Sequence, residues 1–155
     1  MTEATHEITF NGDLTIDFLD TFRSHRDELA RVIGRLDGVE RFAVKLGAYP
    51  PGQKSISVPH GWRPDQYIQC AGRGDELAIE IRRQNPDGSF AQLAVGRGGP
   101  HDGGPDVRVP FGDGHSVVVY DDEVFGQAEA VEIFHRYFET GKVGDAYVLR
   151  TIDLS

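Results

Sequence analysis

The stretch QYIQCAGRGDELAIEIRRQNPDGSFAQLAV, residues 66–95, decides the fold. It holds three apolar-rich runs, Gln66 to Ala71, Leu77 to Arg82 and Phe90 to Val95. In the middle run Leu77, Ile79 and Ile81 alternate with Glu80 and Arg82. A period of two sends alternate side chains to opposite faces, so this run is a half-buried strand in a sheet with one wet side. The separators, Gly72-Arg73-Gly74-Asp75 and Asn85-Pro86-Asp87-Gly88, are short and rich in residues that tight turns use. Three strands joined in this way form an antiparallel meander.

Working upstream, Arg41 to Leu46 repeats the alternation, with Phe42, Val44 and Leu46 opposed to Arg41, Ala43 and Lys45. Between it and the meander, Gly47 to Pro64 carries Pro50-Pro51-Gly52, Pro59 and Pro64, which interrupt ladders; a short strand is expected at Ser55 to Val58. Thr5 to Phe10 reads as a first strand, closed by the turn residues Asn11-Gly12-Asp13. From Asp17 onward the period becomes helical, with Phe18, Phe22, Leu29, Val32, Ile33 and Leu36 stacked on one face. Thr15 would cap that helix and Gly38 would end it. Alternatively Ser24, followed by Asp27 and Glu28, caps a shorter helix after a break.

Downstream, Gly96 to Pro105 holds five glycines and two prolines, a composition that makes ordering expensive in backbone entropy and predicts a mobile loop. Val107 to Phe111 and His115 to Tyr120 read as a hairpin. Asp121, Asp122 and Glu123 place negative charge at the expected start of a second helix, whose stripe of Phe125, Ala128, Val131, Phe134 and Phe138 runs to Gly141. Ala146 to Ile152 closes the chain as a strand. The expected architecture is therefore a single α+β domain over residues 1–155. Its sheet of about six to eight strands is mainly antiparallel, with an N-terminal and a C-terminal amphipathic helix packed on one face.

Composition limits the partners. The 155 residues include 25 acids and 16 bases, a formal charge of −9, which repels phosphate backbones and anionic membranes. Nucleic acid and membrane are disfavoured. Cys70 is the only cysteine, which excludes an intramolecular disulfide and a multi-cysteine zinc site and fits a reducing compartment. Met1 to Glu7 lacks a basic n-region and no apolar run approaches a membrane span, so a cytoplasmic location is expected.

No motif for catalysis or cofactor binding emerges. Six histidines (His6, His25, His60, His101, His115 and His135) show no paired helical spacing of a metal site. The glycine-rich loop lacks the Gly-Lys-Ser/Thr ending of a phosphate cradle. No serine sits in a Gly-x-Ser-x-Gly elbow, and Cys70 in a strand reads as a small buried hydrophobe. No catalytic residue, cofactor or metal is assigned; an enzymatic alternative would use the loop histidines His60, His101 or His115.

Two features point to binding. Trp62, flanked by His60 and Arg63 in an irregular segment, joins a large contact area to directional hydrogen bonding. The other is charge: residues 121–155 hold eight acids and three bases, a net of −5. Asp121, Asp122, Glu123, Glu129, Glu132 and Glu139 would form an acidic surface suited to a basic protein partner.

The segment from Glu129 to Gly141, EAVEIFHRYFETG, followed by a strand, resembles the helix-Gly-strand ending of small bacterial immunity proteins of polymorphic toxin systems. The resemblance covers roughly the last 30 residues. It implies a small acidic protein that neutralises a toxin by covering its active site, without catalysis of its own. A structural or regulatory homodimer, paired through an edge strand, is the other non-enzymatic expectation.

Overall fold

In the computed structural model, which describes residues 4–53, 58–59, 62–112 and 114–152, the meander is the centre of a seven-stranded sheet. Its strands are β1 (His6–Phe10), β2 (Leu14–Asp17), β3 (Ala43–Ala48), β4 (Tyr67–Arg73), β5 (Glu76–Gln84), β6 (Phe90–Gly96) and, last in the chain, β9 (Val148–Thr151). They lie in the order β2-β1-β3-β4-β5-β6-β9 with every neighbouring pair antiparallel. A separate hairpin pairs β7 (Val107–Pro110) with β8 (Ser116–Val119). Two helices complete the fold, α1 (His25–Ile33) and α2 (Gln127–Thr140). The expected strand at Ser55 to Val58 falls largely outside the described residues.

Register explains why the sheet holds. Ile16, Ile8, Leu46, Ile68, Ile81 and Leu93 stand opposite one another in an unbroken apolar row across six strands. A one-residue slip would turn the whole row to the polar side, so the pairing is strongly specified. From Ile8 to Leu93 the row belongs to one buried cluster that also contains Leu29, Val32 and Ile33 of α1 and Ala130, Val131, Ile133, Phe134 and Tyr137 of α2. Fully burying a side chain of this size contributes about 1.5–3 kcal/mol.

The opposite side of the sheet is not simply wet. Ala43, Ala71 and Ala78 form a column of small side chains across β3, β4 and β5. The hairpin settles there, with Val109 and Val119 packed on Ala78. Gly72, at φ +132, lets it approach: a Cβ there would lie 2.1 Å from the Glu76 carbonyl oxygen and 2.8 Å from Val109.

Both helix starts differ from the longer expectations. Leu14 to Asp17 is a strand paired with β1, so Thr15 is no cap, and α1 begins after Ser24, whose Oγ accepts the Asp27 N–H at 3.1 Å. The turn residues Asn11-Gly12-Asp13 return the chain onto β1 before helical hydrogen bonds can start. Phe18 and Phe22 therefore lie outside the helix, Phe18 buried and Phe22 exposed. The helix also stops at Gly34, ahead of Gly38.

At the other end, Asp121–Glu123 forms a 3-10 turn and α2 starts at Gln127. Phe125 bridges to Leu77 beforehand, and Asp75 from the β4–β5 turn accepts the Gln127 N–H at 3.2 Å. Of the acids at residues 121–123, Glu123 caps this turn, accepting the Tyr120 N–H at 2.9 Å, and none caps α2. Gly141 ends α2 in the left-handed conformation at φ +76. Among the described residues no helix is long and apolar enough to cross a membrane.

Candidate partner-binding surface

β2 is an edge strand, and its inward side chains are left uncovered. Leu14 and Ile16 stand opposite Phe10 and Ile8 on the apolar side of the sheet, yet they remain 58% and 47% exposed. The loop to α1 adds Leu19, 41% exposed, and Phe22, 91% exposed. Two adjoining hollows of about 300 and 200 Å³ share Ile16 and Arg31 between β2, this loop and α1. The first is floored by Phe10, Val32, Leu36 and Val44, and the second by Ile8 and Phe18.

Cations rim this apolar groove. Arg23 and Arg31 both pair with Glu28, at 2.7 Å each, and hold its carboxyl below the usual range, the Arg31 hydrogen bond foremost. Arg35 and Arg41 line the first hollow and have no carboxylate within 4.0 Å among the described residues. A cluster of exposed large apolar side chains is the usual mark of a contact site on a water-facing protein.

The acids selected from sequence occupy a different region and mostly have partners within the chain. Glu123 is buried and receives a two-point contact from Arg150, with Nε 2.8 Å from Oε2 and the terminal nitrogen 2.9 Å from Oε1. Glu129 accepts from Arg97 at 2.6 Å and from the Tyr147 hydroxyl at 2.9 Å. Glu132 pairs with Arg26, and Glu139 lies 3.5 Å from His135. Asp121 is exposed. Burial pushes the Asp122 carboxyl up, but the His101 ring and the Gly98 N–H outweigh it and hold the group below the usual range.

That corner fastens the glycine-rich segment expected to be mobile. Gly98 N–H and His101 Nε2 reach the two Asp122 oxygens, at 3.1 and 2.9 Å. His101 also stacks on Tyr120 at 3.7 Å, and the Tyr120 hydroxyl donates to the Gly103 carbonyl. One acid, Asp122, 21 to 24 residues further along the chain, supplies the contacts that composition could not show.

A third hollow, of about 320 Å³, lies between β5, β6, β9 and the hairpin and contains Glu80, Glu123 and Arg150. Burial raises the Glu80 carboxyl above its usual range, partly offset by a hydrogen bond from Gln92 and by the Arg150 charge. His101 is engaged at Asp122 and Tyr120, and His115 sits exposed in the hairpin turn, so neither lines this hollow. Trp62 is half-buried with its ring 5.9 Å from that of Tyr49, while exposed Arg63 donates to the Trp62 carbonyl. His60 lies outside the described residues.

Sequence inspection missed Leu14, Ile16, Leu19, Phe22, Arg35 and Arg41. The available signal was the alternation Leu14-Thr15-Ile16-Asp17 directly after a turn, which marks a second strand and moves Phe22 out of the helix. In comparisons with protein-family models, curated proteins and solved structures, nothing matches the chain.

Proposed function

We propose that the protein is a non-catalytic binding module that holds a protein partner in the groove between β2 and α1, acting as an immunity protein that covers a bacterial toxin. The observation that carries this is the exposure of Phe22 beside Leu14, Ile16 and Leu19 at a sheet edge. Apolar surface of this kind gains free energy when a partner removes it from water. Arg35 and Arg41 select the partner's charge: a segment with apolar side chains and nearby carboxylates fits them. The in-chain pairing of Glu123, Glu129 and Glu132 leaves the C-terminal acids less able to attract a basic partner.

The test is calorimetric binding of the protein encoded by the neighbouring gene, using wild type, Phe22→Ser and Ile16→Thr. Losing the burial of a Phe side chain, about 1.5–3 kcal/mol, weakens binding by roughly ten- to hundredfold. Thermal stability of the Phe22→Ser protein should stay at the wild-type value, because Phe22 is exposed. Unchanged affinity in both variants would refute the groove. Loss of affinity in Asp121→Asn or Glu139→Gln instead would move the contact to the acidic helix. A wild-type dimer in sedimentation that Phe22→Ser dissociates would replace the foreign partner with a second copy.

A further inference from the structure

A separate concavity of about 730 Å³ opens between the C-terminal end of α2, the loop that follows it and the ends of β5 and β9. Ile81, Val143 and Leu149 supply apolar wall, and the charged residues around them are Arg82, Arg83, Arg136, Lys142 and one acid, Asp145. In a chain with 25 acids and 16 bases, this local balance reverses the sign of the whole. Arg82 is turned over the Phe90 ring, 4.7 Å from its centroid. Arg83, Arg136 and Lys142 have no carboxylate within 4.0 Å among the described residues, whereas Arg23, Arg26, Arg31, Arg97 and Arg150 each do.

Two further features make this a built site instead of a chance gathering of cations. Arg136 lies against the backbone of Gly144, where a Cβ would stand 2.7 Å from its Nε, so a glycine at φ +101 lets the loop receive the side chain. Tyr137 also lines the concavity; it is only 8% exposed, and its hydroxyl makes no hydrogen bond among the described residues. That oxygen is not among the buried side-chain atoms left without a partner, so it reaches the solvent of the concavity, where it is free to meet a ligand oxygen.

We infer that this concavity binds a small organic anion carrying at least two negative charges on carboxylate or phosphate groups, its charges met by Arg83, Arg136 and Lys142 and one oxygen by the Tyr137 hydroxyl. The apolar wall of Ile81, Val143 and Leu149 takes the uncharged part of the molecule. This site is independent of the groove at β2, with which it shares no lining residue.

The test is titration calorimetry of the full chain with citrate, inorganic pyrophosphate and AMP, which separate carboxylate from phosphate recognition and test the need for an organic body. Saturable one-to-one binding of at least one probe is expected. Arg83→Gln and Lys142→Gln each weaken it about tenfold, the scale of one charge-assisted hydrogen bond, and Tyr137→Phe weakens it severalfold. Arg83 and Lys142 sit on separate elements, so they decide the matter even if Arg136→Gln disturbs the loop. No saturation by any probe at millimolar concentration, or affinity unchanged in Arg83→Gln and Lys142→Gln, would overturn the inference.

Discussion

Replacing Arg150 by Met tests how the C-terminal strand is tied to the rest of the molecule. The Glu123 side chain is 2% exposed and accepts from Arg150 Nε, from the terminal guanidinium nitrogen and from the Tyr120 N–H. The methionine keeps much of the aliphatic stem but leaves Glu123 with the backbone contact alone. Breaking a buried pair by removing one partner costs about 3–5 kcal/mol. Because the Arg150 side chain is 28% exposed, water can enter the vacated position, which lowers the expectation to roughly 2–3 kcal/mol. For a chain of this length that is a fall in Tm of about 5–10 °C. The assay is urea unfolding followed by circular dichroism, at low and at high salt. The loss should persist in salt, since a pair this enclosed is weakly screened. In the Glu123→Leu/Arg150→Met double variant the two changes should be clearly less than additive, because replacing both members removes the stranded charge. Arg26→Met serves as the control: its bridge to Glu132 is about half exposed at both ends, so it should shift stability by about 0.5 kcal/mol or less. A loss below about 1 kcal/mol in Arg150→Met, or additive single changes, would refute a structural role for the pair.

Other outcomes follow from single positions. Gly72→Ala should cost at least about 3 kcal/mol, because the new Cβ meets the Glu76 carbonyl and Val109, whereas Gly88→Ala, with open space around it, should cost roughly 1 kcal/mol; equal urea midpoints for the two would contradict the packing of the hairpin. Burial pushes the Cys70 thiol up to about 12, so a thiol-specific chromogenic reagent should label it only on unfolding, and rapid labelling of the native protein would refute its burial. Burial, aided by the His25 charge, lowers His6 to about 4. Between about pH 6.5 and 4 the unfolded chain therefore binds a proton that the folded chain does not, and this contribution falls as the pH falls through that window. Glu7 and Glu80, both raised by burial, act in the opposite sense at acid pH. The readout is accordingly the difference between wild type and His6→Gln, which should shift in favour of the variant on acidification; parallel stability curves would exclude the effect.

The meander was legible because its information is local. Leu77, Ile79 and Ile81 alternate with polar neighbours, and the four-residue separators leave no room for a crossover, so strand type and antiparallel pairing both follow from short-range chemistry. The shorter of two possible first helices was also written in Ser24, Asp27 and Glu28. What misled was Phe18 and Phe22, whose spacing from Leu29 and Val32 matches a helical face although a turn at Asn11-Gly12-Asp13 commits the intervening residues to a strand. Periodicity measures spacing; it does not register that a hairpin has already claimed Leu14 to Asp17. The acids at residues 121–123 misled in a similar way, since proximity to an apolar stripe suggested a helix cap that Asp75, about 50 residues earlier, provides.

By itself the sequence determined the antiparallel α+β class, the turn positions, the burial of Cys70 and the excess of negative charge, all of which depend on residue type and on neighbours a few positions away. Tertiary structure alone decided that the hairpin packs on Ala78 and close to Gly72, that Asp122 fastens the glycine-rich loop, and that Arg150 pairs with Glu123. It also decided which apolar side chains remain in water, leaving Leu14, Ile16 and Phe22 uncovered at the sheet edge. The physical reason is that burial and charge compensation are properties of pairs of segments brought together by folding. No local pattern along the chain records which segment will arrive at a given face, or which will stop short of it.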